Sequence, residues 1–259
     1  LVKHTVPLTG AGKILGQAAS EQVILVKGAL ELQSGVLQNN GGKHIFTVGR
    51  GTLDINGGYI VGGGSDGTPG GGIYVDNGTV NIQGGVIAAN RGSSGGGIFF
   101  QNGTLNISGG AVTGNEVING HSDNGGGIYV NSGTLNLSGG YVTNNYKECG
   151  CNDCRNDVNN THGGGGIALA NSSVMNMTGG YVTGTLGTYT YNNGLVPTKE
   201  TAMATVEVTG GTFDKDPTPY VVEGSTVKKN ADGTFGVEKA YLAKVGDKSY
   251  YTMDEAFKA

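Results

Sequence analysis

Tryptophan is absent from the 259 residues, proline numbers only 5, and charged side chains make up 14%. Each shortage excludes something. So few prolines, with glycine in no strict triplet, rule out a collagen-type helix. A net charge of −4 and an isoelectric point of about 5.5 leave no basic footprint for nucleic acid or for an anionic membrane surface. No apolar run approaches the ~18 residues that a membrane helix needs. Neither a signal peptide nor a lipidation motif is visible, and the chain opens mid-pattern at Leu1, as a trimmed or excised piece of a longer protein would. Hydrophobic residues stand at 36%, low but regularly placed, which argues against disorder.

What is plentiful is glycine, with 52 residues against a background of roughly 7%. Much of it sits in a repeat. The stretches Gly72–Gly85, Gly97–Gly110 and Gly127–Gly140 all read Gly-Ile-aromatic-hydrophobic, then Gly-Thr-hydrophobic-Asn-hydrophobic, then a Gly-Gly pair. A fourth copy runs from Gly166 to Gly180, and weaker copies end at Gly35, Gly58 and Gly211. The Gly-Gly pair recurs at 57, 84, 109, 139, 179 and 210, so the steps are 27, 25, 30, 40 and 31 residues.

Inside each copy the period is two. Leu53, Val80, Leu105, Leu135, Met175 and Val206 are each followed by a polar residue and then by Ile55, Ile82, Ile107, Leu137, Met177 and Val208. Strict alternation over short runs bounded by Gly and Asn marks half-buried strands. Three such runs with three turns fit one unit of about 25 residues. That predicts an all-β fold, a right-handed parallel β-helix of about seven coils, each stacked ~4.8 Å on the next. Sandwiches and propellers predict different spacings. The expected organisation is a capping segment over 1–28, the β-helix over 29–211, and a β-rich region over 212–259. In that last region an Asp232-Gly233 hairpin, a second hairpin around Gly246-Asp247 and a Thr252–Glu255 capping box open a further module.

The Gly-Gly-Gly-Ile element follows a hydrophobic-x-x-Asn element: Ile87-Ala88-Ala89-Asn90, Val112-Thr113-Gly114-Asn115 and Val142-Thr143-Asn144-Asn145. These copies are similar to the GGA[I/L/V] and FxxN repeats of chlamydial polymorphic outer-membrane proteins, with Gly in place of Ala and Ile or Val in place of Phe. The chain more closely resembles β-helical, adhesin-like surface proteins of gut Firmicutes, whose arrays pass into segments like Gly210 to Tyr250. The resemblance covers residues from about 45 to 255. It implies a bacterial extracellular protein, at the cell surface or attached to the cell wall, that binds a host glycan or protein, and it carries over no catalytic residue.

Three places could carry chemistry. The outward column of one strand reads Ile24, Thr47, Tyr74, Phe99, Tyr129 and Ala168. Tyr74, Phe99 and Tyr129 form an apolar strip that either stacks on a ligand or stabilises the sheet. A second column reads Glu31, Asp54, Asn81, Asn106, Asn136, Asn176 and Glu207, an amide ladder with two neighbouring carboxylates at one end. A carboxylate pair could serve catalysis or Ca²⁺, but no third acid or basic partner joins it.

The third place is a set of insertions after the hydrophobic-x-x-Asn element, spanning 91–94, 116–124 and 146–162 in successive coils. The longest holds Cys149, Cys151 and Cys154 with His162 at its end. Those four are enough ligands for a tetrahedral Zn²⁺; a disulfide with one free thiol is the alternative. The Asn-x-Ser/Thr triplets at Asn77, Asn102, Asn106, Asn136, Asn171 and Asn176 follow from the repeat itself.

The sequence thus points to a non-catalytic adhesin-like β-helix that binds through side loops and an aromatic strip. The alternatives are a polysaccharide lyase or glycoside hydrolase of β-helix type, and a structural spacer in a longer surface protein.

Overall fold

The computed structural model describes residues 5–16, 22–118, 125–147, 165–184, 186–189 and 204–258. It is a parallel β-solenoid of about six turns, nearly all β. This is the parallel β-helix that the repeat predicts, with a small antiparallel sheet after it.

Three stacks of parallel strands form the walls. The first holds Thr5–Leu8, Ala29–Leu32, Thr52–Ile55, Gly78–Ile82, Gly103–Ile107, Thr134–Leu137, Val174–Val182 and Thr205–Phe213. The second holds Lys13–Gly16, Val36–Asn39, Tyr59–Val61, Val86–Ala88, Ala111–Thr113 and Tyr141–Thr143, and joins the first through the long strand Val174–Val182. The third runs from Ile24–Val26 through Phe46–Val48, Ile73–Val75, Ile98–Phe100, Ile128–Val130 and Ile167–Ala170 to Leu186–Tyr189. Thr5–Leu8, Lys13–Gly16 and Ile24–Val26, expected as a capping segment, therefore already pair in register with the later rungs.

Register follows the sequence repeat residue for residue: Val80 pairs with Leu105, Asn81 with Asn106 and Ile82 with Ile107. Because side chains alternate across a strand, this puts Leu53, Val80, Leu105, Leu135 and Met175 in one interior column. Ile55, Ile82, Ile107, Leu137 and Met177 form the next, and all ten are buried. The Gly-Gly pairs make the corner between the first two walls. Gly110 has φ +71°, and a Cβ there would stand 2.6 Å from the Gly84 carbonyl oxygen one rung below. Only glycine fits both the backbone angle and the contact.

Past Phe213 the pairing reverses. Thr205–Phe213 pairs antiparallel with Phe235–Lys239, which pairs antiparallel with Ser225–Lys229 around Asp232-Gly233. Ala243–Val245 and Lys248–Tyr250 make the second hairpin. The Thr252–Glu255 capping box opens the short helix Met253–Phe257, with Thr252 accepting from the Glu255 backbone and Glu255 from the Thr252 backbone. Before the first hairpin, Thr218–Tyr220 forms a 3₁₀ turn with Pro217 at its start. No described helix is long and apolar enough to cross a membrane.

Candidate functional site

The aromatic column forms, with a shifted register at its start. Leu25, not Ile24, pairs with Thr47, because the first rung lacks the glycine marker that sets the later copies. Thr47 then pairs with Tyr74, Tyr74 with Phe99, Phe99 with Tyr129 and Tyr129 with Ala168. The Tyr74 and Phe99 ring centroids are 5.4 Å apart with planes 2° from parallel, and Phe99 and Tyr129 are 5.2 Å apart at 26°. Two coplanar rings laid edge to edge cannot come that near, so each ring overlaps the face of the next.

The consequence is that the column offers mostly ring edges. Tyr129 is only 7% exposed and packs with Ala168 and Ala170, while Tyr74 and Phe99 are half-buried. The open apolar strip expected from the sequence is thus largely closed on itself. Burial, and then the neighbouring Asp76 carboxylate, push the Tyr74 hydroxyl above its usual pKa.

Sequence reasoning missed one member of this stack. His44 lies 5.2 Å from Tyr74 at 21°, extending the column by one ring from the loop before Phe46–Val48. No repeat element marks it, since it stands outside the strand pattern. Its pKa falls to about 4: burial dominates, the Pro69 backbone pulls the other way, and the Lys43 charge adds to the depression. The ring is neutral at physiological pH, and Nδ1 is buried without a partner among the described residues.

The outer ladder forms from Asn176 to Asp54. Asn81 donates to Asp54 at 2.6 Å, Asn106 to Asn81 at 2.7 Å, Asn136 to Asn106 at 2.8 Å and Asn176 to Asn136 at 2.9 Å. Glu31 stands opposite Asp54 in register, and its carboxylate accepts from Asn56 and Gln33. Both carboxylates of the pair therefore serve amide donors.

An inner ladder runs parallel to it inside the fold. Asn90 and Asn115 are fully buried and Asn145 nearly so. The Asn90 amide donates to Asn115 Oδ1 at 3.0 Å and the Asn115 amide to Asn145 Oδ1 at 3.0 Å. The same amides reach the backbone carbonyls of Ile60, Ile87 and Val112 one rung below. A buried amide with all its bonds made fixes the corner at which the side insertions begin.

Those insertions leave the solenoid side by side. Glu116 pairs with Tyr146 and Val117 with Lys147, immediately before the two longer excursions. They return side by side as well, with Gly127 donating to the Gly165 carbonyl at 3.1 Å and Ile128 to that of Gly166 at 3.0 Å. At the root of the shortest insertion Arg91 reaches Glu116 at 3.0 Å. Cys149, Cys151, Cys154 and His162 lie outside the described residues. Among the described residues no group of three or more His, Cys, Asp or Glu side chains comes together as a metal site.

No protein-family model matches the chain, and no curated protein or solved structure does either.

Proposed function

We propose that this chain is a non-catalytic, adhesin-like surface solenoid of the kind found in gut Firmicutes, with repeats akin to the chlamydial ones. In this reading it holds two neighbouring loops against a rigid frame for contact with a host glycan or protein. The observation that supports it is the pairing of the loop roots, Val117 with Lys147, directly after the locked asparagines Asn115 and Asn145. Binding residues on many proteins sit on loops positioned by a rigid scaffold, and two loops rooted ~4.8 Å apart act as one surface. The engagement of Glu31 and Asp54 with amide donors favours this over glycoside hydrolysis, which needs one carboxylate to attack or activate water and another to donate a proton. Cys149, Cys151, Cys154 and His162 would constrain the longer loop, through Zn²⁺ or through a disulfide.

The test replaces 119–124 and 148–164 with short connections copied from Arg91–Ser94, then compares both proteins on a glycan array and a panel of host surface proteins. The shortened protein should keep its β-sheet spectrum and melting behaviour and lose the ligand bound by the parent. Equal binding by both proteins, or release of reducing ends from a polysaccharide by the parent, would overturn the reading.

A further inference from the structure

The second wall carries a further aromatic feature, in which Tyr59, Tyr141 and Tyr181 each follow a Gly-Gly pair directly. Its outward column runs Val36, Tyr59, Val86, Ala111, Tyr141, Tyr181 and Thr212. Tyr59 is 53% exposed and Tyr141 is 57% exposed, the reverse of the stacked column on the third wall. Between them lie two rungs with small side chains, Val86 and Ala111. Three rung steps of ~4.8 Å make a shallow trough about 14 Å long, walled by one phenol ring at each end. Tyr141 is braced from behind by Tyr181, which meets it edge-on with centroids 6.4 Å apart.

Chemistry around the trough is uniform. The next outward column reads Gln38, Val61, Ala88, Thr113 and Thr143, and the hydroxyls of Thr143 and Thr113 hydrogen-bond at 3.3 Å. On the other side the Gly-Gly corner leaves backbone with no side chain above it. No charged side chain stands in either column from the Val36 rung to the Tyr141 rung, in a chain whose surface carries both signs elsewhere. Such a surface has nothing with which to neutralise a phosphate, a carboxylate or an acidic or basic peptide. It has flat rings for apolar C–H faces and a row of hydroxyls for a ligand rich in hydroxyl groups.

We infer that the trough between Tyr59 and Tyr141 binds a short uncharged oligosaccharide, lying along the solenoid axis over Val86 and Ala111. This extends the binding reading to a named ligand class on a different wall. The variants that test it leave both excursions intact, so the two readings fail separately.

The experiment titrates short neutral oligosaccharides of glucose, mannose, xylose and N-acetylglucosamine into the wild-type chain and into three variants. Tyr59→Ala and Tyr141→Ala each remove one wall, and Ala111→Arg fills the floor while leaving both rings in place. The wild type should bind at least one series, each tyrosine variant should bind it about tenfold more weakly, and Ala111→Arg should not bind it at all. All three variants should melt close to the wild type, because every substituted side chain faces outward. No binding of any neutral series, or binding unaffected by these changes, overturns the inference. So does a shift in oligomeric state in the variants, which would assign the face to a second copy of the chain.

Discussion

The Asn81 side-chain amide donates to the Asp54 carboxylate at 2.6 Å, so the outer amide row ends on an anion. Every donor in that row points toward the N-terminal end of the solenoid, from Asn176 down to Asn81. The buried row points the other way, Asn90 toward Asn115 and Asn115 toward Asn145. The two rows thus set their dipoles against each other along one axis, and they differ in what replaces a missing bond. Water reaches the outer row, which is half-buried, and does not reach the inner one.

Asn106→Ala should therefore cost about 1 kcal/mol, because water can take over the lost bonds. Asn115→Ala takes a donor from the Ile87 carbonyl and removes the acceptor of the Asn90 backbone and side-chain amides. At about 1–3 kcal/mol per unsatisfied buried group, it should cost at least ~3 kcal/mol. Denaturant titration of both variants checks the contrast, and equal costs would mean that the inner row is wet.

Ala89 has φ +52°, at the corner position where other rungs carry Gly62, Gly114 and Gly184, all with positive φ. A side chain in that region costs about 1–2 kcal/mol, part of which glycine gives back through its greater freedom when unfolded. Ala89 is exposed and has no packing to lose. Ala89→Gly should accordingly raise stability by roughly 0.5–1 kcal/mol, seen as a higher melting temperature. A lower one would show that the corner tolerates Cβ without strain.

The neutral state of His44 gives stability a pH dependence of known sign. Its folded pKa of about 4 lies below the ordinary 6.5, chiefly through burial. The unfolded chain takes up the proton first, so the contribution is complete above pH ~6.5 and is lost as pH falls toward 4. His44→Phe keeps a ring on Tyr74 and removes the titration. Between pH 6.5 and 4 the variant should lose less stability than the parent, with the carboxylates common to both cancelling in the difference. Parallel curves would place the ring in water.

Tyr74→Ala, Phe99→Ala and Tyr129→Ala together should act on stability before binding. The four-ring stack has three ring contacts, each worth about 0.5–1.5 kcal/mol beyond the area it buries, and the triple variant removes them all. The expected result is a melting temperature lower by several degrees. A variant that melts like the parent while losing a ligand would return the column to recognition.

Much of the solenoid is legible in the sequence, because one pattern repeats. The alternation through Leu105, Asn106 and Ile107 sets which side chains point inward, and the Gly-Gly pairs set the turns, so wall, register and outer ladder follow. Three features stay hidden for physical reasons. The opening rung lacks the glycine marker, so alternation alone places its register one residue early, at Ile24 instead of Leu25. His44 joins the stack from a loop outside the alternation. Tyr59 and Tyr141 are separated by Val86 and Ala111, so the sequence does not show that the fold makes them the two ends of one trough. Exposure is the other blind spot: a ring that faces outward can still be covered by the ring beside it, as Tyr129 is.

The reversal at Phe213, where the chain meets Phe235 running the opposite way, decides how long this structure can be. Each rung before it is a template, offering the next strand the same direction, the same spacing and the same row of glycine, asparagine and aliphatic positions. Growth by copying has no internal reason to stop, and a bare last rung would invite a foreign strand to continue it. Over Gly211–Phe213 a strand laid in the opposite direction breaks the rule on which copying depends. The hairpin works as a chain terminator written in backbone direction, covering the one corner of the last rung where Phe213 meets Phe235.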